Sequence, residues 1–167
     1  MGHKGVVIKG VNVMIMQLSL VLPEDSTCIR ATRLLSRSLL KEMKVVVPII
    51  DDVETIVAEL CSNVTRHAES KATHFLITLE YFKLKVVITV TDEGQGFVAK
   101  NVPLPGTVRS DNMGGERYGG FGMTLLQGLS DKIDFTATDP HGTTVRVEKN
   151  LLYETQADAD KACARDT

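Results

Sequence analysis

Glu59, Asn63 and His67 recur every fourth residue in the stretch from Val53 to Ala68, which also carries Val53, Ile56, Val57, Leu60 and Val64 at helical spacing. Residues four apart on a helix stack along one face, about 6 Å apart along the axis. An Asn carbonyl is a hard oxygen ligand suited to Mg2+, which takes few protein ligands and completes its shell with phosphate and water oxygens. A carboxylate one turn earlier can orient or deprotonate a hydroxyl or water near a terminal phosphate. The apolar stripe would anchor this helix in a core and leave the polar pair beside it. Taken by itself, such a triplet is more often a solvated helix edge, with Glu59 and Arg66 as surface charges.

Three further segments bear on the same chemistry. Asp92-Glu93-Gly94-Gln95-Gly96-Phe97 follows a strand-like run directly. Asp92 can present its carboxylate to an adenine amino group, and Gly94 and Gly96 let the backbone approach base and sugar closely. A dinucleotide fingerprint does not continue from it, because Ala99 stands three after Gly96 and no helical run follows at once. Gly119-Gly120-Phe121-Gly122 precedes a short helical run, whose free N–H groups and dipole suit phosphate. No Gly-rich P-loop bearing Lys occurs. Gly142-Thr143-Thr144-Val145 begins the last strand, where a Thr143 hydroxyl can reach Asp92 or the base through water. Each segment alone also reads as a plain turn, helix entry or strand start. In this order they outline a pocket for a nucleotide and its metal.

The elements that must position these residues follow from periodicity. Val11 to Leu22 reads as a strand, and Pro23-Glu24-Asp25-Ser26 as a turn with helix-capping acceptors. Thr27 to Met43 is an amphipathic helix with Ile29, Leu34, Leu35, Leu39 and Leu40 roughly on one face. Asp51-Asp52 are placed to start the second helix. Residues 74–81 and 84–91 are β-rich and separated by Phe82-Lys83, which predicts an antiparallel hairpin. Val98 to Arg117 lacks periodicity, as functional loops do. A short helix over Met123 to Leu129 precedes two strands, Ile133 to Ala137 and Thr143 to Asn150. This order predicts an α+β two-layer sandwich, with a mixed, mostly antiparallel sheet and helices on one face. A doubly wound parallel sheet would need strands and helices to alternate. Residues 1–153 are expected to form one domain, and 154–167 a polar tail that is either a helix extension or frayed.

The bulk numbers agree with such a domain. The chain has 167 residues, is 43% hydrophobic and carries a net charge of -2. That length buries a sizeable core, and that charge gives no field for nucleic acid or an anionic membrane. Cys28, Cys61 and Cys163 are not at metal-ligand spacing and suit reduced thiols. Lys9, Asn12, Gln17 and Ser19 interrupt the apolar stretch Val6 to Leu22, so no membrane segment is expected there. A soluble, cytoplasmic protein is expected, with no direct nucleic-acid or membrane partner.

Over about residues 11 to 150 the chain resembles the ATP-binding domain shared by gyrase, heat-shock chaperone, histidine-kinase and MutL-type ATPases, the Bergerat-type fold. The N-box of that superfamily resembles Glu59 to Ala68, its first glycine box Asp92 to Phe97, and its second Gly120-Phe121-Gly122-Met123. Within it, the stand-alone anti-sigma-factor serine/threonine kinases of bacteria are the best fit, with their N-box of the form Glu-x-x-x-Asn-x-x-x-His-Ala. The resemblance implies ATP and Mg2+ as cofactors, Glu59 as general base for a protein hydroxyl and Asn63 as Mg2+ ligand. It implies Asp92 as reader of the adenine amino group, Gly94 and Gly96 along base and sugar, and Gly120 and Gly122 at the phosphates. Residues 98–118 would form the ATP lid, and Arg117 resembles a lid Arg that contacts phosphate, although Tyr118-Gly119 puts an extra residue between it and the glycine box. The implied partner is a regulatory protein, an anti-sigma antagonist or a sigma factor, and the kinase would be a homodimer. No upstream helix with a phosphoacceptor His is seen, so a complete histidine kinase is not expected. A non-catalytic ATP-gated interaction module and a detached histidine-kinase catalytic domain are the alternatives.

Overall fold

Alternating burial along His74–Phe82 shows how the sheet is built. Phe75, Ile77, Leu79 and Tyr81 are buried, whereas Leu76, Thr78, Glu80 and Phe82 between them are exposed or half-buried. A period of two places the first set on one face. The computed structural model describes residues 13–67, 74–92, 121–137 and 142–164. Within them the strands are β1 (Met14–Pro23), β2 (His74–Phe82), β3 (Lys85–Asp92), β4 (Lys132–Ala137) and β5 (Thr143–Asn150). They form one sheet in the order β1-β2-β3-β5-β4, with every described pairing antiparallel. The register sets Leu20 opposite Ile77, Ile77 opposite Val90, Ile88 opposite Val147 and Val147 opposite Ile133. One apolar face therefore runs across all five strands.

The helices are α1 (Ser26–Glu42), α2 (Val47–His67), α3 (Phe121–Leu129) and α4 (Gln156–Ala164). The architecture is α+β, and the hairpin of β2 and β3 lies where the sequence predicts it. Asp25 caps α1, its carboxylate accepting from the Thr27 N–H at 2.6 Å. The segment after Tyr153, which the sequence left open, forms α4, and Ala159 joins the core.

Two local expectations are corrected. The second helix begins at Val47, four residues before Asp51. The Val46 carbonyl accepts from the Ile49 and Ile50 N–H groups, and Pro48 sits in the first turn, where its missing N–H costs nothing. Asp51 and Asp52 instead face outward and pair with Arg37 on α1 and Lys149 on β5. On α1, Leu34 and Leu35 are exposed, 53% and 40%. Its inward face carries Thr32, Ser36 and Leu40, with Ile29 and Leu39 half-buried. Two hydroxyls replace apolar groups there because each has a partner: Thr32 donates to the Cys28 carbonyl and Ser36 accepts from Tyr81 at 3.0 Å.

Helix α1 ends in a left-handed residue, Lys44, with φ 62°. The Val45 N–H donates to the Leu40 carbonyl and the Lys44 N–H to the Lys41 carbonyl, a Schellman closure that favours glycine at Lys44. Lys44→Gly should therefore raise stability by about 1 kcal/mol in urea unfolding, since a side chain is strained in that conformation. An unchanged or lower midpoint would contradict that account.

Two buried titratable groups set a second expectation. Burial pushes the Cys61 thiol from 9.0 up to about 12, and the Tyr81 phenol from 10.0 up to about 12, the latter against the opposing bond to Ser36. Above about pH 9 the unfolded chain releases protons that the fold retains. Stability should therefore be full below that pH and fall steadily as it rises towards about 12. Cys61→Ala should flatten this slope by up to about one proton, read from urea midpoints across the alkaline range.

Candidate functional site

The stripe on α2 decides where the polar pair stands. Ile50, Val53, Ile56, Val57, Leu60, Cys61 and Val64 are all buried, and Glu59 and Asn63 are left half-buried beside them. Helix α3 crosses next to this flank. A Cβ built on Gly122 would lie 2.6 Å from Glu59 Oε2 and 3.5 Å from Asn63 Oδ1. The carboxylate and the carboxamide oxygen thus converge on the point where the first turn of α3 approaches α2. That turn also brings the positive end of the helix dipole to the pair.

The second cluster lies where β3 and β5 meet. Asp92 ends β3 and is paired in register with Thr143, the first residue of β5. Both are half-buried. Gly142 precedes Thr143 with φ 147°, a backbone conformation that side chains rarely adopt, and it is buried. One position inward, the Thr91 and Thr144 hydroxyls lie 2.9 Å apart and tie the two strand ends together. Little in the sequence alone marks this hydroxyl pair. Its signal is weak: a β-branched hydroxyl at an equivalent place on each of two strands that turn out to be neighbours.

Of the sequence-derived site residues, Glu59, Asn63 and Gly122 come together, and Asp92 and Thr143 come together. Gly94, Gly96, Arg117, Gly120 and the lid segment 98–118 lie outside the described residues, as does the His67 side chain. The oxygens present, a neutral carboxamide oxygen and a nearby carboxylate, suit Mg2+, and the helix entrance favours the phosphates that would complete its shell. Among the described residues no three His, Cys, Asp or Glu side chains group as a metal cage. A cation held by Asn63 would therefore draw other ligands from phosphate and water oxygens. None of the described helices is long and apolar enough to cross a membrane.

The family model "Histidine kinase-like ATPase domain" matches residues 22–149, which include both clusters. The chain belongs to this family. Among its relatives is the anti-sigma F factor of Caldanaerobacter subterraneus subsp. tengcongensis, 35% identical over 107 residues, spanning 61% of this chain and 71% of that protein. Another is the serine-protein kinase RsbW of Halalkalibacterium halodurans, 25% identical over 122 residues, spanning 70% of this chain and 74% of that protein. Among solved structures, the RsbU and RsbW domains of a Mycobacterium tuberculosis protein match with a TM-score of 0.55 at 16% identity. That match covers 82% of this chain but only 33% of the solved one, so the chain spans about a third of it and the likeness concerns the fold.

Proposed function

We propose that this chain is an ATP- and Mg2+-dependent protein serine/threonine kinase of the anti-sigma-factor type, which regulates a partner protein by binding and phosphorylating it. The convergence of Glu59 Oε2 and Asn63 Oδ1 at the entrance of α3 carries the reading. Two relatives named as an anti-sigma factor and a serine-protein kinase support it. In this reading Asp92 accepts from the adenine amino group, with Thr143 beside it. Gly94 and Gly96 line base and sugar, Gly120 and Gly122 face the phosphates, and Arg117 contacts phosphate from a lid over 98–118. Residues 1–153 form the ATP-binding domain. Its partner is an anti-sigma antagonist or a sigma factor, and the kinase acts as a cytoplasmic homodimer.

Glu59 takes the proton of the acceptor hydroxyl as that oxygen bonds to the γ-phosphorus and ADP leaves with the electron pair of the broken bond. Asn63 would hold Mg2+, which neutralises charge on the phosphate oxygens when bound. The α2 helix keeps both groups still, because its buried stripe prevents rotation.

Recovery of partners from native-cell lysate on the tagged protein, with ATP or ADP present, followed by phosphosite mapping, tests the reading. An acid-stable phosphoester on Ser or Thr is expected. An acid-labile phosphoramidate would point to a histidine-kinase catalytic domain, and bound nucleotide without any transfer to an ATP-gated module. With the partner in hand, Glu59→Gln should lower phosphotransfer by about 100-fold or more while nucleotide affinity stays nearly intact. Unchanged transfer would remove Glu59 as the base.

Base recognition gives a separate measurement. A carboxylate facing the adenine amino group accepts a hydrogen bond, whereas GTP sets an oxygen there and repels it. Asp92→Ala should weaken binding of a fluorescent ATP analogue by about 10- to 100-fold, as loss of a charged hydrogen bond implies. The preference for ATP over GTP should shrink in parallel. A retained preference would place base recognition elsewhere.

A further inference from the structure

Helix α3 contains two glycines whose surroundings differ. A Cβ on Gly128 would meet nothing within 4 Å. A Cβ on Gly122 would stand 2.6 Å from Glu59 Oε2, closer than carbon and oxygen atoms sustain without bonding, so the carboxylate would have to move aside. Glycine is disfavoured within a helix, so its presence at 122 calls for a local cause. Close approach of phosphate to the backbone is one such cause, and the carboxylate is another. The second is already in contact: Glu59 Oε2 fills the space that any side chain at 122 would take.

We propose that Gly122 is a positioning residue for Glu59, its missing side chain forming the seat in which the carboxylate rests. The functional part rests on the kinase reading above, whereas the seat itself does not. In that seat the carboxylate lies against the first turn of α3, where the helix dipole favours an anion. Helix α3 then does two things at one point: its N-terminal turn faces the phosphates and its second residue fixes the base. A displacement of the entrance of α3 would carry the base with it. The glycine box and the N-box are thus coupled by direct contact.

The seat is tested on the purified chain without ligand, by thermal unfolding of a double-mutant cycle. Gly128→Ala should raise the melting temperature in any background, since its Cβ enters open space. Gly122→Ala should raise it only when Glu59 is also changed to Ala, because only then is the space clear. Equal gains in both backgrounds would overturn the proposal. A Gly122→Ala chain that folds only together with Glu59→Ala reports the same coupling and supports it.

The functional consequence is read with Mg·ATP as the probe, through its dissociation constant and the rate of ADP release with water as acceptor. Gly122→Ala should lower that rate about tenfold or more, with the dissociation constant changed by less than about threefold. The double variant with Glu59→Gln should be no slower than Glu59→Gln alone. Shortening the acid by one methylene should help where the seat is filled: Glu59→Asp should raise the rate of Gly122→Ala while lowering that of the unaltered protein. Gly128→Ala should leave the rate unchanged. A large rise in the dissociation constant with turnover preserved would assign Gly122 to the phosphates alone and overturn the positioning role. Absence of phosphate transfer to any recovered partner, with the thermal cycle still coupled, would remove the kinase reading and leave the seat standing.

Discussion

The rest of the molecule depends on the burial of one face of α2. Seven residues between Ile50 and Val64 are removed from water against the sheet and the neighbouring helices. Fully burying a side chain of this size is worth about 1.5–3 kcal/mol, so rotating the helix by one residue would expose several at once. That constraint fixes the angle of every other residue on α2, including Glu59 and Asn63. The polar pair is therefore held in place by groups that take no part in chemistry.

Ion pairs around α2 are numerous but subordinate. Arg37 bonds Asp51 and Glu54, Arg33 bonds Glu54, and Lys149 bonds Asp52, tying the helix to α1 and to β5. Arg37 and Arg33 keep 28% and 38% of their side-chain surface in water. Pairs so open to solvent are screened by water and each contribute less than one buried leucine. They set the tilt of α2 against its neighbours rather than whether it packs. The acids that looked like a helix start in the sequence serve this purpose.

What was legible in the sequence was what repeats. The two β-rich runs over 74–81 and 84–91, split by Phe82-Lys83, and the spacing of Val53, Ile56, Val57, Leu60 and Val64 carry the strands and the buried helix face on their surface. The hairpin, the two-layer class and the core face of α2 followed from them. Less legible was the start of α2, because Pro48 inside an apolar run resembles a break and is instead a first-turn residue. The inward face of α1 runs against its apolar pattern: Leu34 and Leu35 are apolar yet exposed, while Thr32 and Ser36 are polar yet buried through hydrogen bonds to Cys28 and Tyr81. Hydrophobicity cannot reveal a polar group whose partner lies elsewhere in the chain.

The candidate site shows the same division. Glu59 beside Asn63 was readable from helical spacing, since both lie on one element. The contact of Glu59 with Gly122 was not, because it joins residues 63 positions apart through the packing of α3 on α2. The neighbouring strand ends, Asp92 and Thr143, likewise became a pair only once β3 and β5 were known to be adjacent. Each cluster is built by one packing relation: helix against helix for the first, strand against strand for the second. The two are joined by the sheet and by α2, which packs on both β3 and α3. Glu59 and Asn63 are thus carried by a helix whose inner face is fully buried, whereas Asp92 sits half-buried at a strand end.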